Sequence, residues 1–309
     1  MTNSLPPLPL IDGHLFIDNS AMEYLNSCHR AAEYSFIRQR KLAEDRSALS
    51  FGKAIHLAVE ERYKQVGSRK VTEETRTAQR LILTEHFQKE PAHFDDHRTE
   101  EFANRVIDEY NEEYPTENFK VLPEFIEKSF AVEVGKIGEI TIIYTGRIDL
   151  IVEEQGHLIN VDHKTTSIMG SLFFEEQSIS PQHQGYCWAI AETLKFRPPE
   201  FLINAICVRK PTEKGKGKEI EFARQRFPIF QSTLDEWQQN CLALIEEFIW
   251  NYAKGYLPMK RKWCIAKYGR CQYFDVCALP QDQRLLLLKS GMFSKNEWSP
   301  LEGRKSEPV

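Results

Sequence analysis

Residues 146–165 read GRIDLIVEEQGHLINVDHKT and carry two aspartates and a lysine at spacings that can do chemistry. Two runs rich in Ile, Leu and Val flank Glu153-Glu154-Gln155-Gly156, the pattern of a β-hairpin closed by a tight turn. With Gln155-Gly156 as the loop, antiparallel register sets Leu150 opposite Val161 and Val152 opposite Ile159, an apolar face. On the other face Asp149 lies opposite Asp162, and Lys164 follows on the same side. Adjacent carboxylates repel, and a divalent cation is the natural counter-charge. The plain alternative is a solvated hairpin face, where Asp and Lys are common.

The elements that must position these residues are legible in outline. Ser20-Ala-Met-Glu23 reads as a capping box opening a helix that passes Cys28 toward Arg40. A second helix follows Ser50 and sets His56 and Glu60 on one face. Residues 66–118 are polar and periodic, an expected helical insertion broken at Pro91. From Val121 the period becomes alternating: strands are expected over 125–134, 139–152 and onward through Lys164. Ser180-Pro181 opens a helix to about Leu194 that carries Gln182 and Tyr186 one turn apart. Strands over 201–208 and 220–227 flank an exposed lysine-rich loop at 210–218. A long helix over 234–254 ends at Gly255. A polar tail from Gly291 and a loose arm over 1–12 close the chain.

Composition narrows the function. At 309 residues, with 41% hydrophobic and 28% charged, the chain can bury a sizeable core. A net charge of -5 gives no global mark of a nucleic-acid binder, so any DNA affinity must come from local basic patches. The opening MTNSLPPLPL lacks a basic-then-apolar leader, and no apolar run is long enough to span a membrane. The expectation is a cytoplasmic protein without a membrane partner. Seven cysteines in a reducing compartment point to metal binding, catalysis or burial rather than disulfides.

Taken singly, His56 reads as a packed or surface histidine, Glu60 as an exposed charge, and Gln182 with Tyr186 as a surface Gln beside a half-buried Tyr. Taken in order, His56, Gly146-Arg-Ile-Asp149, Asp162-His-Lys164 and Gln182-x-x-x-Tyr186 resemble the PD-(D/E)XK nuclease superfamily, in its RecB-like exonuclease branch. The resemblance spans residues 20 to 277. It implies a restriction-endonuclease-like α/β fold: a mixed β-sheet core flanked by helices, with the helical insertion and a C-terminal cysteine-rich segment. It also implies that Asp149, Asp162 and the backbone carbonyl of His163 are hard oxygen ligands for Mg²⁺ or Mn²⁺, with His56 completing the shell. Lys164 would then neutralise developing charge and orient or deprotonate the attacking water. Gln182 and Tyr186 match the supporting pair that contacts substrate phosphate or the lysine, and Glu127 fits an upstream acidic position as supporting structure.

Cys28 with Cys264, Cys271 and Cys277 resembles the iron–sulfur staple of the AddB and CRISPR-associated members of that branch, which implies a [4Fe–4S] cluster. Trp263, Tyr268, Tyr273 and Phe274 beside them suggest a packed knot. The late cysteines depart from the family spacing, with gaps over 265–270 and 272–276 and no CxxC. A Cys₄ zinc site and four unliganded thiols stay open beside the cluster. Cys187, Cys207 and Cys241 read as core thiols.

Lys260-Arg-Lys262 with Trp263, then Lys267 and Arg270, mix cations and aromatics as backbone tracking with base stacking requires; Arg38, Arg40 and Lys41 would join them. The alternative is a solvated basic face. The expected protein is a single nuclease domain over 1–290, the cysteine segment 256–280 closing onto Cys28, with a tail over 291–309. Its expected function is that of a divalent-metal-dependent DNA exonuclease acting on single-stranded ends in recombination, repair or phage DNA processing, beside a helicase or recombinase partner. A DNA-binding or recombination accessory protein without catalysis is the second reading.

Overall fold

The computed structural model describes residues 10–42, 47–92, 96–210, 218–266 and 269–295. Most of the expected N-terminal arm, most of the 210–218 loop, Lys267, Tyr268 and the tail beyond residue 295 lie outside them. The chain divides into two compact units, one of residues 45–128 and 147–234, the other of 1–44, 129–146 and 235–309.

The first unit is built on the hairpin. Its strands are Ile140–Glu154, shared in sequence with the other unit, and His157–Thr166. Gln155 (φ 52°) and Gly156 (φ 79°) both lie in the left-handed region, as a two-residue primed turn demands. The register is the expected one: Leu150 faces Val161 and Val152 faces Ile159, and all four are 0–2% exposed. His157–Thr166 pairs in parallel with Glu200–Val208, which pairs antiparallel with Ile220–Pro228, so the sheet is mixed.

Helix Ser47–Val66 buries Phe51, Ala54, Ile55, Ala58, Val59 and Tyr63 at helical spacing against the hairpin's apolar face. Helices Glu73–Lys89 and Glu100–Glu113 occupy the 66–118 segment. Thr72 and Thr99 cap them by accepting from the Thr75 and Phe102 amides, and paired glutamates in each first turn complement the dipole. Their Leu83, Phe87, Val106, Ile107 and Tyr110 enter the same core as the hairpin. The parallel crossover carries helices Ser171–Ser178 and Pro181–Leu194, the latter opening at the expected proline, although the Ser180 side chain makes no capping bond.

In the second unit His14–Ile17 pairs in parallel with the start of Ile140–Glu154, and Leu10–Ile11 pairs antiparallel with His14–Ile17. Part of the expected loose arm is therefore sheet edge. Asp18, not Ser20, caps helix Asn19–Ser27, its carboxylate accepting from Ala21 N–H at 2.8 Å. That helix does not run on to Arg40. It breaks at Cys28, whose extended backbone (φ -166°, ψ 113°) starts a fresh turn at His29–Ala32, followed by a wide turn over Glu33–Ile37. Phe293–Lys295, expected as tail, pairs with Arg40–Leu42. Among the described residues no helix is long and apolar enough to cross a membrane.

Candidate active site

The antiparallel ladder of the hairpin reaches Leu150–Val161, and Asp149 and Asp162 are the next residues of each strand. There Asp149 turns its carboxylate onto the neighbouring strand: its Oδ2 accepts from the His163 backbone N–H at 2.8 Å. His56 Nδ1 stands 3.7 Å from the same oxygen, presented by the helix whose Ala54, Ile55 and Ala58 are buried. Asp162 is 2% exposed, so this is no solvated hairpin face.

Lys164 reaches out from the strand along the acidic side. Its Nζ is 2.8 Å from Asp162 Oδ2 and donates to Gln182 Oε1 at 2.9 Å. Gln182 Nε2 in turn donates to the Tyr186 hydroxyl at 3.2 Å. Four residues taken from a strand and a helix thus form one polar chain, Asp162–Lys164–Gln182–Tyr186.

Three neighbours join the cluster, and of these only His183 was not singled out from the sequence. Glu127 sits in a strand at φ 50°, a left-handed conformation that a glutamate adopts only under constraint. Its Oε2 is 2.6 Å from Arg147 Nε. Glu60 is shielded rather than exposed, 15% accessible and paired with Lys64. His183 is fully buried, its Nδ1 3.8 Å from Asp162 Oδ1 and its Nε2 bonded to Gln177 Oε1 at 2.9 Å, with its ring on Phe201. A positive φ within a strand leaves no mark in sequence, and a histidine between Gln182 and Tyr186 looks like any other helical residue.

The His163 ring, its centre 6.1 Å from that of His56, enters a buried network. Its Nδ1 meets Asn204 Nδ2 at 2.8 Å, while Asn204 Oδ1 accepts from Arg224 Nε at 3.0 Å. Arg224 and Arg62 both pair with the fully buried Glu117. Because Arg224 fixes the amide orientation, Nδ2 donates and His163 Nδ1 accepts.

The family model of the PD-(D/E)XK nuclease superfamily matches residues 19–278 of this sequence. The chain belongs to the PD-(D/E)XK nuclease superfamily. Among solved structures it is similar to a candidate exonuclease of Eubacterium rectale at 12% identity and a TM-score of 0.49, covering 89% of this chain and 93% of that one. It is also similar to SSO0001 at 14% identity and a TM-score of 0.35, covering 77% of this chain and 80% of the other. No curated protein matches. The mixed sheet with flanking helices is the restriction-endonuclease-like architecture of this superfamily.

Electrostatics divide the cluster into unlike groups. Burial, then the nearby Asp162 and Glu127 charges, pushes the Asp149 carboxyl well above the usual range. Burial acts the same way on Asp162, but Lys164, His183 and His56 outweigh it and hold that carboxyl low. Glu127 is pushed up to about 7 by burial, with Glu60 and Asp162 adding to it against Arg147. Burial lowers His56 and His183 to about 4, so both imidazoles are neutral at ordinary pH.

Whether these residues fit a divalent cation is answered by their unmet valence. Asp162 Oδ2 and Glu127 Oε2 are shielded from water and, apart from the Lys164 and Arg147 cations beside them, receive no aligned hydrogen bond. Buried carboxylate oxygens with lone pairs to spare, beside a neutral imidazole, are hard-cation donors. Among the described residues no group of three or more His, Cys, Asp or Glu side chains is arranged to hold a metal ion. Asp149 spends one oxygen on the His163 amide, and Lys164 lies on Asp162.

Cys28, Cys264, Cys271 and Cys277 all line one cavity of about 370 Å³ in the second unit. Cys271 N–H donates to the Cys264 carbonyl at 3.0 Å, and Cys28 Sγ accepts from Lys260 N–H at 3.4 Å. Tyr273 and Phe293 stack beneath them. The four thiols share this cavity, but among the described residues they are not arranged as a metal-holding group. Cys187, Cys207 and Cys241 are buried, as expected of core thiols.

Proposed function

We propose that this chain is a Mg²⁺- or Mn²⁺-dependent deoxyribonuclease, and specifically an exonuclease acting on single-stranded ends, with residues 1–290 working as one nuclease domain. The observation that carries the reading is the polar chain Asp162–Lys164–Gln182–Tyr186 with Asp149 beside it. Asp149, Asp162, the His163 carbonyl and His56 would hold the cation; Glu127 offers a further carboxylate. The bound cation would polarise the scissile phosphate and lower the pKa of an attacking water.

The chain's own groups supply the rest. Lys164 keeps an ammonium beside Asp162, where it can balance charge gathering on the phosphate oxygens. Gln182 fixes that ammonium from the opposite side, and Tyr186 holds the Gln182 amide in turn. Asp162 stays ionised through its cationic neighbours, whereas Asp149 and Glu127 are raised and can take up or release a proton.

Lys164→Ala is expected to abolish Mg²⁺- or Mn²⁺-dependent DNA degradation while circular dichroism stays native. Equal degradation by wild type and variant would sink the assignment. End-labelled single and double strands, with circular DNA beside them, separate exonuclease from endonuclease action.

For the four cysteines the reading is a [4Fe–4S] cluster with zinc as the alternative, supported by the cavity they share. Freshly purified protein would be brown, with visible absorption lost in Cys277→Ser. A colourless protein with stoichiometric zinc would favour the alternative.

A further inference from the structure

Residues 248–274, FIWNYAKGYLPMKRKWCIAKYGRCQYF, contain no Asp or Glu, in a chain whose net charge is -5. The same stretch holds six lysines and arginines and eight aromatic residues. Such a composition is set apart from the rest of the molecule, and the structure shows where part of it lies. Trp250 is 57% exposed, Tyr256 62% and Trp263 42%. Large aromatic rings left in water are costly unless something covers them.

Cations stand on these rings. Lys254 Nζ lies 3.4 Å from the centre of the Trp250 ring, and the Arg30 guanidinium lies 6.0 Å from that of Tyr256. Backbone contacts join the pieces into one strip. Arg30 N–H donates to the Pro258 carbonyl, and Lys260 Nζ donates to the Asn26 carbonyl, both at 3.3 Å. Lys260 and Trp263 also line the cysteine cavity, together with Lys41 and Arg270 against a single carboxylate, Glu23. Among the described residues, no carboxylate forms an ion pair with Arg30, Lys254, Lys260, Arg261 or Lys262.

We propose that the strip formed by Trp250, Lys254, Tyr256, Arg30, Lys260 and Trp263 binds an unpaired DNA strand, its bases stacking on the exposed rings and its phosphates meeting the cations. The inference rests on the reading of this chain as a DNA nuclease. A duplex hides its base faces, so rings of this kind discriminate in favour of a single strand. An acidic protein partner would use the cations alone and would leave the three rings unexplained.

The test is fluorescence anisotropy of a labelled oligothymidylate with the full chain, metal chelated so that no cleavage intervenes. The double variant Trp250→Ala with Tyr256→Ala is expected to lose affinity by about tenfold or more. Trp250→Phe alone, which keeps a stacking ring, is expected to bind nearly as wild type does. Lys254→Ala is expected to flatten the slope of log affinity against log salt by about 0.7. Leu81→Ala, at an exposed leucine of the other unit, is expected to bind as wild type does. Unchanged affinity in the double variant, or equal affinity for a duplex of the same length, overturns the proposal. The two readings fail separately. Strand binding that weakens in the double variant, with no metal-dependent cleavage by wild type, removes the nuclease and leaves the strip. Cleavage by wild type with unaltered binding in the double variant does the reverse.

Discussion

At the scale of single residues, the Lys164 ammonium is held between two partners of different kinds. Asp162 supplies charge and Gln182 supplies direction, since the lysine stem alone would leave Nζ free to rotate. Gln182→Ala should therefore keep the ion pair and lose the aim. The expectation is a fall in kcat of about tenfold to a hundredfold, with unfolding midpoint unchanged, because positioning errors at a charge-stabilising group cost that much. A loss of stability with unaltered kcat would reassign Gln182 to packing. His29 gives a pH prediction away from this site. Burial lowers its pKa below 6.5, Glu247 opposing. A histidine kept neutral by folding binds its proton more readily when unfolded, so its contribution is complete above the unfolded pKa and is lost as pH falls below it. Denaturant midpoints should drop between neutral pH and about pH 5, and His29→Gln should lessen that drop.

At the scale of elements, strand His157–Thr166 is braced from both sides. Its apolar face presses Val161 and Ile159 into the helical layer, and Leu150→Ala should cost about 2–5 kcal/mol by chemical denaturation, as for a large core residue replaced by a small one. Its neighbour strand supplies Asn204, which ties His163 to Arg224 and through it to Glu117 and Arg62. Glu117 pairs with two guanidiniums at once. Glu117→Gln would leave them buried without a counter-charge, and about 3–5 kcal/mol of stability should be lost. Arg62 Nε and Nη1 already lack hydrogen-bond partners, so the network has nothing in reserve. Tyr110 and Glu117 come from the 66–118 segment, read from sequence only as a helical insertion, and the Tyr110 hydroxyl accepts from Asn204 Nδ2 at 2.8 Å.

At the scale of the whole molecule, charge is sorted rather than balanced. The acid-free stretch over 248–274 stands against an overall net charge of -5, and it falls in the unit that carries the four cysteines. The buried carboxylates fall in the other unit. Salt should accordingly weaken strand binding far more than it alters folding stability, which titration of both with sodium chloride would show. A parallel loss of both would mean that the cations serve the fold.

The hairpin register, the Asp149–Asp162–Lys164 side and the Gln182–Tyr186 pair were legible from sequence because strand and helix periods are local: a tight turn at Gln155-Gly156 fixes which residues face each other. The superfamily was legible for the same reason, its motifs being short local patterns in a fixed order. The choice of Asp18 over Ser20 as cap was not, since both patterns are present and only packing chooses between them; nor was the break at Cys28, whose extended backbone no local pattern marks. Nor were the strained backbone at Glu127 and the place of His183, which depend on strands and helices meeting. Local spacing determines which residues share a face; burial and unmet hydrogen bonds, which decide what that face can do, exist only once distant strands and helices have met.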